Sequence, residues 1–147
     1  MALRTEFLKD KQTMLKYIEV LQALYPSLSP EQYALELELM LPHNYTQLAV
    51  FEQDKCIAIC GVWIGNKLWI GKYLELDNIV VIESARSKGV GKLIFKTLEQ
   101  KAKEENCNML ALDSYTSNFK AHKFFYNQGF GPKGFHFIKL LNEKAVR

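Results

Sequence analysis

The chain of 147 residues is long enough to bury one hydrophobic core and too short for two ordinary domains, so we expect one domain over residues 1–147. The composition is that of a globular protein, and no apolar run approaches the ~20 residues that span a bilayer. The net charge of +3 is spread along the chain, which favours a small anionic ligand and argues against nucleic acid. An odd number of cysteines, no cluster at metal spacing and a charged N-terminus predict a cytoplasmic protein that binds no membrane and no metal.

The first forty residues predict two helices. Apolar residues recur at intervals of three and four from Glu6 to Leu24, which is the spacing of one helix face. A second helix begins with a capping box, in which Ser29 is the N-cap, Pro30 the first helical residue and Gln32 the third. We expect this helix to continue as far as Pro42.

The middle of the chain predicts a β-meander. Branched and aromatic residues fill three runs, at 47–53, 56–65 and 68–82, with short polar turns between them. Cys56 and Cys60 lie on the small-residue side of the second run, and we expect both thiols to be buried.

The second half of the chain alternates helices and strands. After a glycine-containing turn, a helix is predicted to about Glu105 and a strand at 108–115. A short helix follows at 118–128, which Gly129 can end in a left-handed C-cap, and one or two strands are expected within 130–141. This order predicts an α/β fold with one mixed sheet.

The turn RSKGVGK joins the third strand of the meander to the helix. Gly89 and Gly91 stand where the first N–H groups of the helix have no partner within it. Arg86, Lys88 and Lys92 add positive charge, so the segment favours a phosphate or pyrophosphate. Neither a Walker loop nor the dinucleotide-binding fingerprint is present. An ordinary strand-to-helix turn, with cations for solubility, explains the same residues.

A second motif follows the glycine turn. The approximate pattern N-x-x-A-x-x-x-Y-x-x-x-G-F is matched at Asn118, Ala121, Gly129 and Phe130. Together with Arg-x-x-Gly-x-Gly in the turn, it resembles the GNAT superfamily of acyl-CoA-dependent N-acetyltransferases, from Leu76 to Leu140. The resemblance implies a mixed, twisted β-sheet flanked by helices, with splayed central strands.

The same resemblance implies a coenzyme site. Acetyl-CoA would be the acetyl donor, without a metal, and Asn118 would bind its pantetheine arm, cap the short helix, or both. The strand residues would pair with the arm, and the amides of the turn would hold the pyrophosphate. The implied contacts are Ile79, Val80, Val81, Ile82, Arg86, Ser87, Lys88, Gly89, Val90, Gly91, Lys92, Asn118 and Phe125.

The catalytic groups match the family less well. Four residues before Gly129, where the family commonly has a Tyr that protonates the departing thiolate, this chain has Phe125. Tyr126 comes next, rotated by about 100° on a helix, and is either a replacement acid or an ordinary tyrosine. Glu75 and Asp77 share one side of a strand at period two and are candidate bases, with Asp77 preferred; solvated strand-end acids explain them equally well.

Three further side chains have weaker claims. Asp113, at the end of a strand, is a third candidate base, while His122 and His136 have ordinary surface or strand explanations. The resemblance implies an N-acetyltransferase that acts on a primary amine of a small molecule by direct attack in a ternary complex. The alternatives are a non-catalytic acyl-CoA-binding regulatory module and a protein lysine or N-terminal acetyltransferase. The expected partner is the small-molecule amine acceptor, and a homodimer is possible.

Overall fold

The computed structural model describes residues 2–147, which form two compact units that divide between Leu112 and Asp113. The first unit holds a five-stranded sheet with strands in chain order, antiparallel except for the last pair, which is parallel. The strands are β1 (Leu3–Leu8), β2 (Tyr45–Glu52), β3 (Lys55–Lys67), β4 (Gly71–Val81) and β5 (Met109–Leu112). The helices are α1 (Lys11–Lys16), α2 (Ile18–Gln22), α3 (Pro30–Met40) and α4 (Val90–Glu104), with 3-10 turns at Leu41–His43 and Glu83–Ala85. None of the described helices is long and apolar enough to cross a membrane.

The N-terminal segment is a strand, and the prediction of a helix from Glu6 was wrong there. β1 alternates between more and less exposed residues and pairs antiparallel with β2, from Leu3 opposite Glu52 to Leu8 opposite Gln47. Pairing with a neighbouring strand outweighs the local apolar spacing, which a single sequence does not reveal. Helical structure begins only after Asp10, whose carboxylate accepts a hydrogen bond from the Thr13 N–H at 2.9 Å.

The second predicted helix is confirmed as α3. The Ser29 hydroxyl accepts from the Gln32 N–H at 3.1 Å, and the Ser29 N–H donates to the Gln32 side chain at 3.0 Å. This capping box satisfies donors that have no acceptor within the helix. The helix gives way to a 3-10 turn at Leu41–His43, which contains Pro42.

Helices pack against both faces of the sheet. The N-terminal helices bury Met14, Leu21 and Leu37 in one core with Ile59 of β3 and Val80 of β4. α4 is absent from that core and packs against the sheet through its own buried stripe. The buried residues of that stripe are Val90, Ile94, Phe95, Leu98 and Ala102. The predicted α4 and its apolar face are therefore confirmed.

The second unit contains one helix, α5 (Phe119–Asn127), and the strands expected within 130–141 are not formed. Residues after Gly129 are irregular apart from a 3-10 turn at Glu143–Ala145, and the side chains of Phe135 and Phe137 are exposed. Aromatic and branched residues favour a strand only where a neighbour supplies the hydrogen-bonded ladder. β5 is likewise shorter than predicted and ends at Leu112.

Gly129 ends α5 in the left-handed conformation, with φ 91°, as predicted. Its N–H donates to the carbonyl of Tyr126, and the N–H of Phe130 donates to the carbonyl of Phe125, both at 3.0 Å. The rings of Phe125 and Phe130 lie 6.4 Å apart between centroids. These contacts form a Schellman motif with its usual apolar pair, so Phe125 has a structural role at this helix end.

Two of the three thiols are buried in β3, as predicted. Burial raises the pKa of Cys56 to about 11 and that of Cys60 to about 12. Cys107 is partly exposed, and desolvation raises its pKa as well. The thiol pKa and exposure together determine how quickly a cysteine reacts, because the thiolate is the nucleophile.

We expect Ellman's reagent at pH 8 to label one thiol of the native protein quickly and all three after unfolding in guanidinium chloride. Cys107→Ser is the control and should remove the fast phase. Rapid labelling of two thiols in the native protein would contradict the burial of β3.

Candidate active site

The hydrogen-bonded ladder between β4 and β5 is short. It runs only from Tyr73 opposite Met109 to Leu76 opposite Leu112, whereas β4 continues to Val81. Residues 77–81 therefore lie beyond the last paired rung of β5 within the first unit. This stretch includes the predicted pantetheine contacts Ile79, Val80 and Val81, with Ile82 directly after it. Along its other edge the stretch pairs with β3.

β4 also carries a bulge that the sequence analysis missed. Gly61 lies opposite Asp77, and two residues earlier in β3, Ile59 lies opposite Val80. One residue of β3 therefore faces two residues of β4, and one of those two, Asn78, has φ 52°. Bulges bend a strand and redirect its side chains. The one signal in the sequence is an asparagine, a residue tolerant of positive φ, inside an apolar strand.

The glycine turn presents an open helix start. Gly89 is the N-cap of α4 with φ 78°, and a Cβ built on it would meet nothing within 4 Å. No side chain caps the helix, and the first helical hydrogen bond runs from the Leu93 N–H to the Gly89 carbonyl at 3.1 Å. Ser87, with φ 65°, is a second left-handed residue in the turn. The preceding N–H groups, from Val90 to Lys92, belong to the first turn and have no acceptor inside the helix.

The predicted cations of the turn lie on the surface. Arg86, Lys88 and Lys92 are exposed, while the side chain of Val90 is buried, so only the main chain of Val90 can reach a ligand. The Arg86 Nε donates to the carbonyl of Val81 at 3.3 Å, which ties this side chain back to β4. The turn therefore combines exposed positive charge with the N-terminus of a helix, as anion sites do.

The two candidate bases lie on one face of β4 and have different neighbours. The Trp63 indole Nε1–H donates to the Asp77 carboxylate at 3.0 Å. Glu75 lies opposite Trp63 in the strand register, two residues before Asp77. An indole donor fixes the orientation of the Asp77 carboxylate but leaves the rest of its acceptor capacity for other partners.

Three aromatic side chains, Tyr45, Trp63 and Tyr73, form an aromatic wall beside these carboxylates. The rings of Tyr45 and Trp63 lie 4.7 Å apart between centroids. A Cβ added to Gly61 would lie 2.9 Å from the Tyr45 hydroxyl, and one added to Gly65 would lie 2.6 Å from the Tyr73 hydroxyl. Each glycine of the G-x-W-x-G segment in β3 therefore provides the room that a tyrosine ring occupies. The sequence analysis missed this wall, because the partners of a strand residue depend on the cross-strand register.

Buried hydrogen bonds to tyrosine hydroxyls stabilise the aromatic wall. The fully buried Gln47 donates its amide to the hydroxyls of Tyr33 at 2.7 Å and Tyr45 at 3.0 Å. Burial raises the pKa of Tyr33 to about 12 and that of Tyr45 further still, so both remain protonated at working pH. Asn78 of the bulge donates its amide to the Tyr25 hydroxyl at 2.6 Å. Loops and helices before β2 thereby hold the sheet in this shape.

A cavity of about 330 Å³ opens along this wall. It is lined by His43, Trp63, Ile64, Gly65, Tyr73 and Glu75. No group of three or more His, Cys, Asp or Glu side chains in residues 2–147 is placed to hold a metal ion.

The comparison with known proteins identifies the family. Residues 13–130 match the Acetyltransferase (GNAT) family. The chain belongs to the GNAT acetyltransferases. A similar curated protein is an uncharacterized N-acetyltransferase, YhdJ, of Bacillus subtilis (strain 168), 25% identical over 134 residues that cover 90% of this chain and 94% of the relative.

Solved structures share the fold of this acetyltransferase. The aminoglycoside N-acetyltransferase AAC(6')-Iy, in complex with the bisubstrate analogue CoA-S-monomethyl-acetylneamine, has a TM-score of 0.83 at 16% identity, over 97% of this chain and 99% of that one. The ribosomal-protein-alanine N-acetyltransferase of Brucella melitensis biovar Abortus 2308 has a TM-score of 0.82 at 15% identity, over 96% and 100%. Family and fold agree on an acetyl-CoA-dependent N-acetyltransferase with a mixed sheet flanked by helices.

The remaining predicted residues of the acetyltransferase lie in the second unit. Asn118 is the N-cap of α5, but its side chain does not cap the helix. Tyr126 exposes 59% of its surface, and Phe125 packs in the helix-ending motif described above. Asn118 therefore lies at the predicted N-cap position, but its side chain does not form the predicted capping hydrogen bond.

The weaker candidates also have local partners. The Asp113 carboxylate lies 3.1 Å from Nδ1 of His136, and both side chains are exposed. His122 Nε2 lies 2.8 Å from the carbonyl of Tyr115. These contacts account for the two histidines within the second unit.

We expect Gly89→Asn to weaken CoA binding at least tenfold, as measured by isothermal titration calorimetry. Asparagine tolerates the left-handed backbone, and a Cβ built on Gly89 meets nothing within 4 Å, so a loss of affinity reports a ligand at that place.

The matched control is Gly129→Asn, because Gly129 also has positive φ and nothing within 4 Å of a built Cβ. It should bind CoA like the wild type. Wild-type affinity in Gly89→Asn would show that the coenzyme's phosphates do not approach this turn.

Proposed function

We propose that this GNAT acetyltransferase transfers the acetyl group of acetyl-CoA to a primary amine of a small molecule, by direct attack in a ternary complex. The observation that carries the proposal is the position of Asp77. Asp77 directly follows the last residue of β4 that pairs with β5. Its carboxylate accepts a hydrogen bond from Trp63, which lines the cavity. The cavity offers room for an acceptor, and the opened length of β4 offers room for the donor.

The residues of the coenzyme site fit a diphosphate and an extended amide-containing arm. Left-handed Gly89, the uncapped start of α4 and the exposed cations Arg86, Lys88 and Lys92 suit the phosphates. The unpaired edge of β4 at residues 77–81 suits an arm that adds itself like a strand. Acetyl-CoA supplies the acetyl thioester, whose C–S bond breaks as the amine nitrogen forms the amide and the coenzyme leaves as its thiol.

Asp77 is the proposed general base. An alkyl amine has a pKa of about 10.4 and must lose a proton before or during attack. Asp77, oriented by the indole of Trp63, accepts that proton directly or through one water. Glu75 lines the cavity and is placed to attract the cationic acceptor.

No dedicated acid is required by this scheme. Phe125 has no proton to give, and it is occupied in packing against Phe130. The side chain of Tyr126 is well exposed, and its role as a replacement acid stays a prediction. Because a CoA thiolate is a comparatively good leaving group, positioning of the two substrates supplies much of the acceleration.

A covalent acyl-enzyme is disfavoured by the cysteines. Cys56 and Cys60 are buried, and the pKa of Cys107 is raised by desolvation, so no thiol resembles an activated nucleophile. Direct attack by the amine needs none.

The cavity has room for a small acceptor. About 330 Å³ falls at the lower end of the range of small-molecule pockets. A lysine or N-terminus of a protein substrate would also need an exposed docking surface around the cavity.

We expect release of CoA thiol from acetyl-CoA to depend on an added amine, followed spectroscopically with a panel of small primary amines and a panel of peptides. Small amines should turn over with the higher kcat/KM. Binding of CoA without turnover of any amine or peptide would favour a regulatory module, and a preference for peptides would favour a protein acetyltransferase.

We expect Trp63→Phe to lower kcat about tenfold while KM for acetyl-CoA stays unchanged. A tenfold change corresponds to the usual free-energy contribution of a hydrogen bond to a charged group. Phenylalanine keeps a ring against Tyr45 but cannot donate to Asp77.

Asp77→Asn should lower kcat by about 100-fold or more, which is the usual contribution of a general base to the rate.

The double variant separates a role through Asp77 from a merely structural one. If Trp63 acts by orienting the carboxylate, adding Trp63→Phe to Asp77→Asn should change kcat less than about twofold, because the base that the indole orients is already absent. Additive losses in the double variant would remove Trp63 from this role.

A further inference from the structure

The cavity beside Trp63 also constrains the charge of the acceptor, on the basis of the proposed function. Among its lining residues, Glu75 is the one carboxylate, His43 is the one basic side chain, Trp63 and Tyr73 are aromatic, and neither lysine nor arginine is present. A phosphate or carboxylate on the acceptor would find no lysine or arginine in this lining. A second ammonium group would find both a carboxylate and aromatic ring faces.

The geometry of β4 orders these groups along one line. Side chains at period two share a face, so Tyr73, Glu75 and Asp77 follow one another, with Asp77 nearest to the coenzyme edge. At the usual rise of about 3.4 Å per residue, Glu75 lies about 7 Å from Asp77 along the strand. In an acceptor whose reacting amine lies at Asp77, a second group separated from that amine by about four or five carbons therefore lies beside Glu75.

Tyr73 already attracts a cation in the protein itself. The Lys67 ammonium lies 5.0 Å from the centroid of the Tyr73 ring, although Lys67 does not line the cavity. The Tyr73 hydroxyl lies over Gly65, which fixes the ring beside Glu75. The wall is therefore preformed, and binding does not require it to be ordered.

We infer that the enzyme selects an acceptor with two positive charges, an α,ω-diamine or a longer polyamine, and that Glu75 recognises the amine that does not react. Asp77 takes the proton of the reacting nitrogen, while Glu75 pairs with the distal ammonium. The distal amine stays charged at assay pH because its pKa is about 10.4.

Three acceptors that differ only in the charge of the tail test this inference. 1,5-Diaminopentane, pentylamine and 5-aminopentanoate present a positive, neutral and negative tail on the same reacting amine. The wild type should show kcat/KM in that order, with at least a tenfold advantage of the diamine over pentylamine, as a partly buried ion pair provides.

Glu75→Gln should reduce the ratio of kcat/KM for the diamine to that for pentylamine about tenfold, to near unity. The matched control is Glu99→Gln, which removes the same charge from an exposed position on α4 and should leave the ratio unchanged.

The failures of the two proposals are distinguishable. No turnover of any of the three amines would overturn the proposed function, and the inference with it. Turnover that is indifferent to tail charge in the wild type would overturn the inference alone, whether or not Glu75→Gln folds. A ratio lowered equally by Glu99→Gln would attribute the preference to overall charge and would also overturn it.

Discussion

The site depends on how β4 is paired along its length. Its first half is hydrogen-bonded on both edges, to β3 and β5, while residues 77–81 keep only β3. A strand that loses one neighbour exposes a row of main-chain donors and acceptors, which a sheet normally hides. Under the proposed function this edge takes the extended arm of the cosubstrate, and the candidate base Asp77 lies at its start.

The bulge at Asn78 links this edge to the core. Because β4 has an extra residue there, Asp77 and Val80 point to the same face although they are three positions apart. Val80 is thereby buried in the core with Ile59, one rung from the carboxylate. The position of Asp77 is anchored by packing against the N-terminal helices as well as by its own hydrogen bond.

Local rules predicted the parts of this structure that have local causes. The capping box at Ser29, the left-handed Gly129 and the amphipathic α4 are all encoded within a few residues. The strand at Leu3–Leu8 escaped prediction because its partner lies some forty residues away in the chain. Helix-like apolar spacing around Phe7 obscured its alternation.

The sequence analysis named some residues of the candidate site and missed others. Asp77 and Glu75 were predicted as candidate bases on one strand face, and the turn cations were predicted to favour a phosphate. Trp63 and Tyr73 were missed because nothing in their own segments reveals that strand register brings them beside those carboxylates. The cavity is formed by three separated segments, and its lining could not be predicted from any one of them.

The two glycines that flank Trp63 have an evolutionary consequence. Each supports a tyrosine ring by the absence of a side chain, so the shape of the cavity is controlled from positions that carry no functional group. A single methyl group gained at Gly61 or Gly65 would displace a ring and leave the candidate carboxylates unchanged. Under the proposed function, such a substitution would alter the range of acceptors without replacing a residue proposed to take part in the reaction.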